Sequence, residues 1–282
     1  MKLVTYRYHG TEAVGVLDGS AVRPLPFADM NALIDAPKDA LEKAVREASE
    51  SLPLSDVTLL SPIPRPRQDV ICLGINYKAH AAESMQYDAA AFGGERPVPI
   101  YFSKRVHEAV GPDGFIESHP GLVQRLDYEA ELAVIIGKTA KNVKAADAGD
   151  YIFGYTVLND VSARLLQTTH KQWYFGKGLD GFTPIGPCIT TADEIAFPPA
   201  LAITSRVNGE LRQNSTTDLL ITSIAEIIEE LSSGMTLLPG TIIATGTPAG
   251  VGMGFDPPKF LKPGDVVECA IEGIGTLRNT VR

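Results

Sequence analysis

The run Leu126-Asp127-Tyr128-Glu129-Ala130-Glu131-Leu132-Ala133-Val134-Ile135-Ile136 carries two glutamates, two residues apart, on what reads as an apolar strand. In an extended chain residues i and i+2 share a face, roughly 7 Å apart at their Cα atoms, so Glu129 and Glu131 point the same way. The other face is Tyr128, Ala130, Leu132, Val134 and Ile136, which is core. Past Glu131 the glutamate face becomes apolar too, at Ala133 and Ile135. Two like charges entering such a region repel unless a cation lies between them. The alternative is that both face water at the start of the strand. A third carboxylate, Asp160, ends a second apolar strand, Phe153 to Leu158 with Asn159 following. Strand ends commonly present functional carboxylates, although an aspartate here also suits the N-cap of a helix over Val161-Ser162-Ala163-Arg164. Three carboxylates with no nearby Cys or His make a hard, all-oxygen site suited to Mg²⁺ or Mn²⁺ rather than zinc.

The second constellation is Gly74-Ile75-Asn76-Tyr77-Lys78-Ala79-His80-Ala81-Ala82-Glu83. On a helix, His80 and Glu83 sit at i and i+3 and touch. A carboxylate beside an imidazole orients it and stabilises its protonated form, the relation a general base for water needs; a surface ion pair is the alternative. The stretch from Ser84 to Pro97, with Phe92-Gly93-Gly94, is expected to be a movable segment over the site. Thr245-Gly246-Thr247-Pro248-Ala249-Gly250-Val251-Gly252 follows a strand and can offer backbone N–H groups and hydroxyls to a carboxylate, or be a turn needing positive φ. It is no Walker loop, because no Gly-Lys-Ser/Thr follows. Lys104, Arg164 and Lys177 are candidate partners for carboxylates.

These groups need strands and turns to hold them. Val70 to Leu73, Ile100 to Ser103, Ala130 to Ile136, Phe153 to Leu158, Ile203 to Val207, Thr241 to Ala244 and Val266 to Ile271 read as strands. Asp18-Gly19 and Asn208-Gly209 read as type I′ hairpin turns. A helix is expected over Asp39 to Ser49, and another after the capping box Ser223-Ile224-Ala225-Glu226, stopped by Gly234. The organisation is a small N-terminal α/β domain over residues 1–60, a Pro-rich linker over 61–68, and a strand-rich α+β domain over 69–282 without regular βαβ alternation.

Composition narrows the partners. The chain has 282 residues, 44% hydrophobic and 21% charged, with a net charge of −9, which excludes disorder, collagen and coiled coil. No Lys/Arg-rich run offers a face to nucleic acid, and no apolar run approaches the roughly 20 residues of a membrane span. The N-terminus reads as a strand without a signal core, and the three cysteines (Cys72, Cys188, Cys269) lie among apolar neighbours; both lead to the expectation of a cytoplasmic protein with reduced thiols.

Taken in order, these motifs resemble the fumarylacetoacetate hydrolase family. The matching residues are Gly74-Ile75-Asn76-Tyr77 with His80 and Glu83, Phe102-Ser103-Lys104, Asp127-Tyr128-Glu129-Ala130-Glu131-Leu132, and Asn159-Asp160-Val161-Ser162-Ala163-Arg164 with Gln167. They continue through Trp173 with Lys177, Asp180, Pro184-Ile185-Gly186-Pro187, Val207-Asn208-Gly209 and Thr245 to Gly252, covering about Asp69 to Val281. The resemblance implies a strand-rich fold of mixed β-roll or sandwich type and a homodimer. By that analogy Glu129, Glu131 and Asp160 are the metal ligands, His80 and Glu83 activate water, and Lys177 lies near the metal. Tyr77, Lys104, Arg164, Gln167 and Thr247 match substrate-side positions. Two departures, Leu165 after Arg164 and the run Gly178-Leu179-Asp180-Gly181, bear on the pocket wall.

The expected reaction is metal-dependent hydrolysis of a carbon–carbon bond in a 2,4-dioxo, acylpyruvate-like acid. Decarboxylation of a 2-oxo acid such as oxaloacetate and isomerisation of an unsaturated 2-hydroxy or 2-oxo diacid are the rivals within one site. A non-catalytic binder of metal and oxo acid is a minor alternative, since binding alone needs no water-activating base.

Overall fold

The computed structural model describes residues 1–94 and 98–282. The core follows from the alternation in the strand Ala130–Ile136, every residue of which is buried. Its even-numbered residues (Leu132, Val134, Ile136) join one apolar cluster with Tyr155, Val157, Ile203, Val267 and Leu277. Its odd-numbered residues (Ala133, Ile135) join a second cluster with Leu33, Ile34, Leu158, Ile185 and Ile242. A strand buried on both faces must be central, and it is. It lies between Ile152–Asn159 and Ile242–Ala244 in an open sheet of eleven strands.

That sheet runs from Leu52–Pro53 through Ala21–Leu25, Thr11–Asp18, Lys2–Tyr8, Ile185–Thr191, Ile152–Asn159, Ala130–Ile136, Ile242–Ala244 and Val70–Gly74 to Ile100–Lys104. Thr58–Leu59 pairs with Lys2–Tyr8 off this path. Most neighbours are antiparallel; Ile242–Ala244 and Val70–Gly74 are parallel. A second sheet of five strands, Glu210–Thr216, Ala202–Val207, Val266–Ile271, Gly275–Val281 and Phe115–Ile116, covers one face of the first. The fold is therefore α+β and strand-rich, with two open sheets sharing one core.

The N-terminal strands extend the main sheet, with Lys2 opposite Thr190 and Leu3 opposite Ile189. The Pro-rich stretch after them has no regular structure yet is packed. Ile63 is buried, Thr5 Oγ1 donates to the Pro62 carbonyl at 2.7 Å, and Ala109 N donates to the Pro64 carbonyl at 2.8 Å.

Each run expected to be a strand is one, within a residue or so at its ends. The Asn208-Gly209 hairpin has positive φ at both residues, as a type I′ turn requires. The other hairpin differs: Asp18 pairs with Ala21, so the turn centres on Gly19-Ser20, and positive φ falls at Gly19 alone. The box at Ser223 and Glu226 caps the helix Ile224–Gly234 as expected. Gly234 is its last residue rather than a left-handed cap, and Met235 N donates back to the Leu231 carbonyl. No helix among the described residues is long and apolar enough to cross a membrane.

One glycine in the loop after Ile242–Ala244 is required by geometry. Gly250 has φ +103°, and a Cβ there would overlap the Arg212 carbonyl. Its N–H donates to Glu83 and its carbonyl accepts from the Tyr128 hydroxyl. Gly250→Ala should therefore cost more than about 1 kcal/mol, seen as a fall of at least roughly 2 °C in thermal unfolding. An unchanged melting temperature would refute this reading of the loop.

Candidate active site

The register of two neighbouring strands brings the carboxylates together. Ala130 pairs with Asn159, so the next step along each chain sets Glu129 beside Asp160, and Asp160 N donates to the Glu129 carbonyl at 2.8 Å. Asn159 Oδ1 accepts from Glu129 N at 3.0 Å and fixes that corner. Asp160 does not cap a helix: the residues after it form the short strand Ser162–Ala163, and the helix Arg164–Thr169 starts beyond. Nor do the glutamates face water, Glu129 being 5% and Glu131 1% exposed. One carboxylate oxygen from each of Glu129, Glu131 and Asp160 lies within 4.8 Å of the others.

Three buried cations surround them. Lys177 Nζ donates to Glu129 Oε2 at 2.8 Å and to Asp160 Oδ2 at 2.6 Å. Lys104 Nζ donates to Asp160 Oδ1 at 2.7 Å and to the carbonyls of Val161 and Lys177. Arg164 donates from Nε to Asp127 Oδ2 at 2.8 Å, and from Nη1 to Glu129 Oε1 at 2.6 Å and Gln167 Oε1 at 3.2 Å. Burial alone would raise the Glu129 carboxyl, but Lys177 and Arg164 outweigh it and hold the group below the usual carboxylate range. For Lys177, too, burial disfavours the charge, and Asp160 with Glu129 overcome it, raising the ammonium. At Lys104 burial prevails over Asp160, and its ammonium is lowered.

Glu131 is the exception. Among the described residues no cationic side chain bonds it, and its support is the N–H of Gly246, which donates to Oε2 at 2.8 Å. Burial, followed by the charges of Asp160 and Glu129, pushes its carboxyl well above the ordinary value. The cluster thus has one negative charge more than its cations balance, at an oxygen facing two other carboxylates. A divalent ion with hard oxygen preference fits that deficit, since all three groups offer carboxylate oxygens. Glu129, Glu131 and Asp160 would hold it.

The helix Lys78–Tyr87 carries the candidate base. His80, 3% exposed, has Nδ1 3.0 Å from Glu83 Oε2, and the other Glu83 oxygen accepts from Gly250 N at 2.9 Å. Gly254 passes so close that a Cβ would overlap the Glu83 carboxylate. With Nδ1–H donated to Glu83, the neutral imidazole keeps its acceptor at Nε2. The segment over the site is helical at Lys78–Tyr87 and Ala89–Phe92; residues 95–97 of the stretch expected to move lie outside the described residues.

One cavity gathers most of these groups. His80, Glu129, Glu131, Arg164, Gln167, Lys177 and Thr247 line it, with an apolar wall that includes Leu73, Phe92, Phe102, Trp173 and Met253. Its free interior is about 10 Å³, the room of roughly one water. Glu83 stands behind His80, and Asp160 and Lys104 lie beneath the lining. Lys104 is fully buried and spent on Asp160 and two carbonyls, away from the cavity. Tyr77 is outside it too; its buried hydroxyl has no partner among the described residues. Leu165 and Leu179 do not line it. The threonine–glycine loop gives its Gly246 N–H to Glu131, while Thr245 and Thr247 donate to the carbonyls of Leu132 and Ala130.

Two residues were named in the sequence reading only as parts of matching motifs, without a role. Asp127 is fully buried and accepts from Arg164 Nε, Tyr128 N, Gly252 N and Met253 N. The i, i+2, i+4 alternation that groups Glu129 with Glu131 would also have pointed to Asp127. Trp173, in the wall, carried no such signal. Arg164 Nη2 is a buried donor with no partner among the described residues.

Glu131→Gln separates the two roles of the third carboxylate. It should raise the melting temperature of the metal-free protein and weaken Mg²⁺ or Mn²⁺ binding by at least ~100-fold. Because the folded, metal-free protein keeps a proton on Glu131 that the unfolded chain releases near pH 4.3, its stability should fall as pH rises from there towards the raised value. Metal affinity should rise over the same window, the ion displacing that proton. Calorimetric titration and thermal melts check both; a melting temperature lowered by the substitution would contradict this charge balance.

Comparison with known proteins agrees with the geometry. Residues 69–282 match the family model described as the C-terminal domain of fumarylacetoacetate (FAA) hydrolase. The chain is 46% identical to oxaloacetate tautomerase YisK of Bacillus subtilis (strain 168) over 231 residues, 81% of this chain and 74% of that one. Among solved structures it is similar to a fumarylacetoacetate hydrolase from Exiguobacterium antarcticum, with a TM-score of 0.87 and 39% identity over 100% of this chain and 99% of the other. It is also similar to a 2-hydroxyhepta-2,4-diene-1,7-dioate isomerase from Mycobacterium marinum, with a TM-score of 0.80 and 35% identity over 100% and 98%. Seen with its buried carboxylates and histidine–glutamate pair, the chain belongs to the fumarylacetoacetate hydrolase family.

Proposed function

We propose that the chain is a divalent-metal-dependent enzyme that moves a proton between carbon and oxygen of a small 2-oxo diacid, an oxaloacetate-like keto–enol tautomerisation. The observation that carries this is the cavity lined by His80, Glu129, Glu131 and Arg164, with Asp160 beneath the lining and Arg164 Nη2 without a partner among the described residues. Mg²⁺ or Mn²⁺ held by Glu129, Glu131 and Asp160 would supply a Lewis acid for the paired oxygens of a 2-oxo acid, making the neighbouring C–H more acidic. His80 Nε2 takes the proton from the carbon beside the carbonyl, and returns it to the carbonyl oxygen in the enol-forming direction. Glu83 holds the ring by Nδ1 and so fixes its orientation and tautomer. Arg164 Nη2 and Gln167 bind the remaining carboxylate, and a planar guanidinium suits that partner. Lys177 offsets the negative charge developing on the substrate oxygens.

The name of the 46% identical relative, a tautomerase, and that of the M. marinum isomerase support this choice over the carbon–carbon hydrolase expected from the sequence. Hydrolysis of a 2,4-dioxo acid stays as a second reading on one observation: the free space beside His80 has room for about one water. There the same His80–Glu83 pair would take a proton from water.

A panel of substrates decides between them. Enol-oxaloacetate loss is followed by ultraviolet absorbance, pyruvate by a coupled assay, and acylpyruvate cleavage by product identification, each with Mg²⁺, Mn²⁺ or chelator. The expected outcome is rapid, chelator-sensitive tautomerisation that His80→Ala slows by about 100-fold or more. Tautomerisation no faster than buffer, or indifferent to both chelator and His80→Ala, would sink the proposal; faster acylpyruvate cleavage would establish the second reading.

A further inference from the structure

The apolar wall of the cavity has a centre. Trp173, the chain's single tryptophan, packs its indole against Phe102 (ring centroids 5.2 Å apart) and Phe92 (6.0 Å). Its third support is backbone. The strand Val70–Gly74 ends in a glycine whose Cβ, were there one, would overlap the indole, so the ring lies directly on the chain there. Its position relative to the reacting centre is also set, because the Trp173 carbonyl accepts from Lys177 N at 3.1 Å and opens the helical turn that carries Lys177 to Glu129 and Asp160. Leu73, Phe92 and Met253 in the same wall are buried. Trp173 is only half-buried, so its ring stands between the cavity and the surface.

We infer that Trp173 is the size filter of the site, a specificity-determining residue that restricts the enzyme to short 2-oxo acids by closing the apolar end of the cavity. The polar half fixes where the oxo-acid end must lie, since the carboxylates, Arg164, Gln167, Lys177 and Thr247 are all there. A longer substituent must then run towards the apolar wall, where the indole of Trp173 stands against Phe92 and Phe102. Seated on backbone and between two aromatic rings, the indole cannot yield by a small side-chain shift. Replacing it by a smaller apolar residue opens the wall towards solvent, so that a chain can leave the cavity through the gap.

The inference rests on the proposed oxo-acid chemistry, and its test reads binding rather than turnover. Metal-loaded protein is titrated with oxalate, oxamate and N-alkyl oxamates of increasing length, by calorimetry or competition. For the wild type, affinity should drop by at least about tenfold as the alkyl group lengthens from methyl to butyl. In Trp173→Leu, which keeps an apolar contact with Phe92, the series should flatten while oxalate affinity is unchanged; Trp173→Ala should flatten it further. Equal weakening of every member in both variants would make Trp173 a merely structural support, and a wild type indifferent to length would have no filter; either overturns the inference. Failure of oxalate itself to bind the metal-loaded wild type strikes the proposed function and removes the filter with it.

Discussion

The structure depends on keeping a crowd of buried charges almost neutral. Asp127, Glu129, Glu131 and Asp160 meet Lys104, Lys177 and Arg164, all of them 5% exposed or less. An unpaired ion in such surroundings would be costly, so each charge must be placed against its partner by an element that cannot drift. The central strands meet that need. Glu131 sits in a strand buried on both faces, Glu129 and Asp160 flank one register pair, and Lys104 ends the strand Ile100–Lys104 at the edge of the same sheet. Once Glu131 gives up its proton its charge has no cationic partner among the described residues, and that would turn an ion-pair network into a site for a cation. With a divalent ion added the cluster becomes positive overall, which an anionic substrate then offsets.

The two halves of the site share one loop. Asp127 holds Arg164 through Nε and at the same time accepts from the amides of Gly252 and Met253. Two residues earlier in that loop Gly250 donates to Glu83, which holds His80. The group suited to a substrate carboxylate and the group suited to its proton are therefore positioned by a single piece of backbone, and a shift at one is carried to the other. This explains the density of glycine there: Gly250 passes against the Arg212 carbonyl, Gly252 against Asp127, and Gly254 against Glu83, with no space for a side chain at any of them.

How much of this could be read beforehand follows from which signals are local. Period-two alternation identified the strand Ala130–Ile136 and placed Glu129 and Glu131 together, because strand geometry alone fixes which residues share a face. The spacing of His80 and Glu83 revealed a contact for the same reason. Burial of the glutamates was less legible: it depends on the neighbouring strands Ile152–Asn159 and Ile242–Ala244, which no local pattern assigns. Lys104 was read as a substrate-side residue, yet the pairing of Ile100–Lys104 with Val70–Gly74 directs it at Asp160, beneath the cavity. Asp127 was given no role because an aspartate at a strand start has many ordinary uses, and the loop that gives it two of its four donors lies more than a hundred residues away.

The same constraint bears on why one framework would serve tautomerases, isomerases and hydrolases. Removing a proton beside a carbonyl, and cleaving a bond beside one, both leave negative charge on the same oxygens, and the buried cations lie where that charge would gather. What separates the outcomes is what else the closed cavity admits. A diacid that takes the place of water beside His80 would leave the imidazole facing carbon, whereas a substrate that leaves a water there would let His80 act on it. In the proposed reaction, selectivity is accordingly set by excluded volume at the apolar wall and proton transfer by the polar one. The acidic cluster is fixed by the central sheet, while the wall is built partly from the short segments around Phe92 and Trp173, the second of which also carries Lys177.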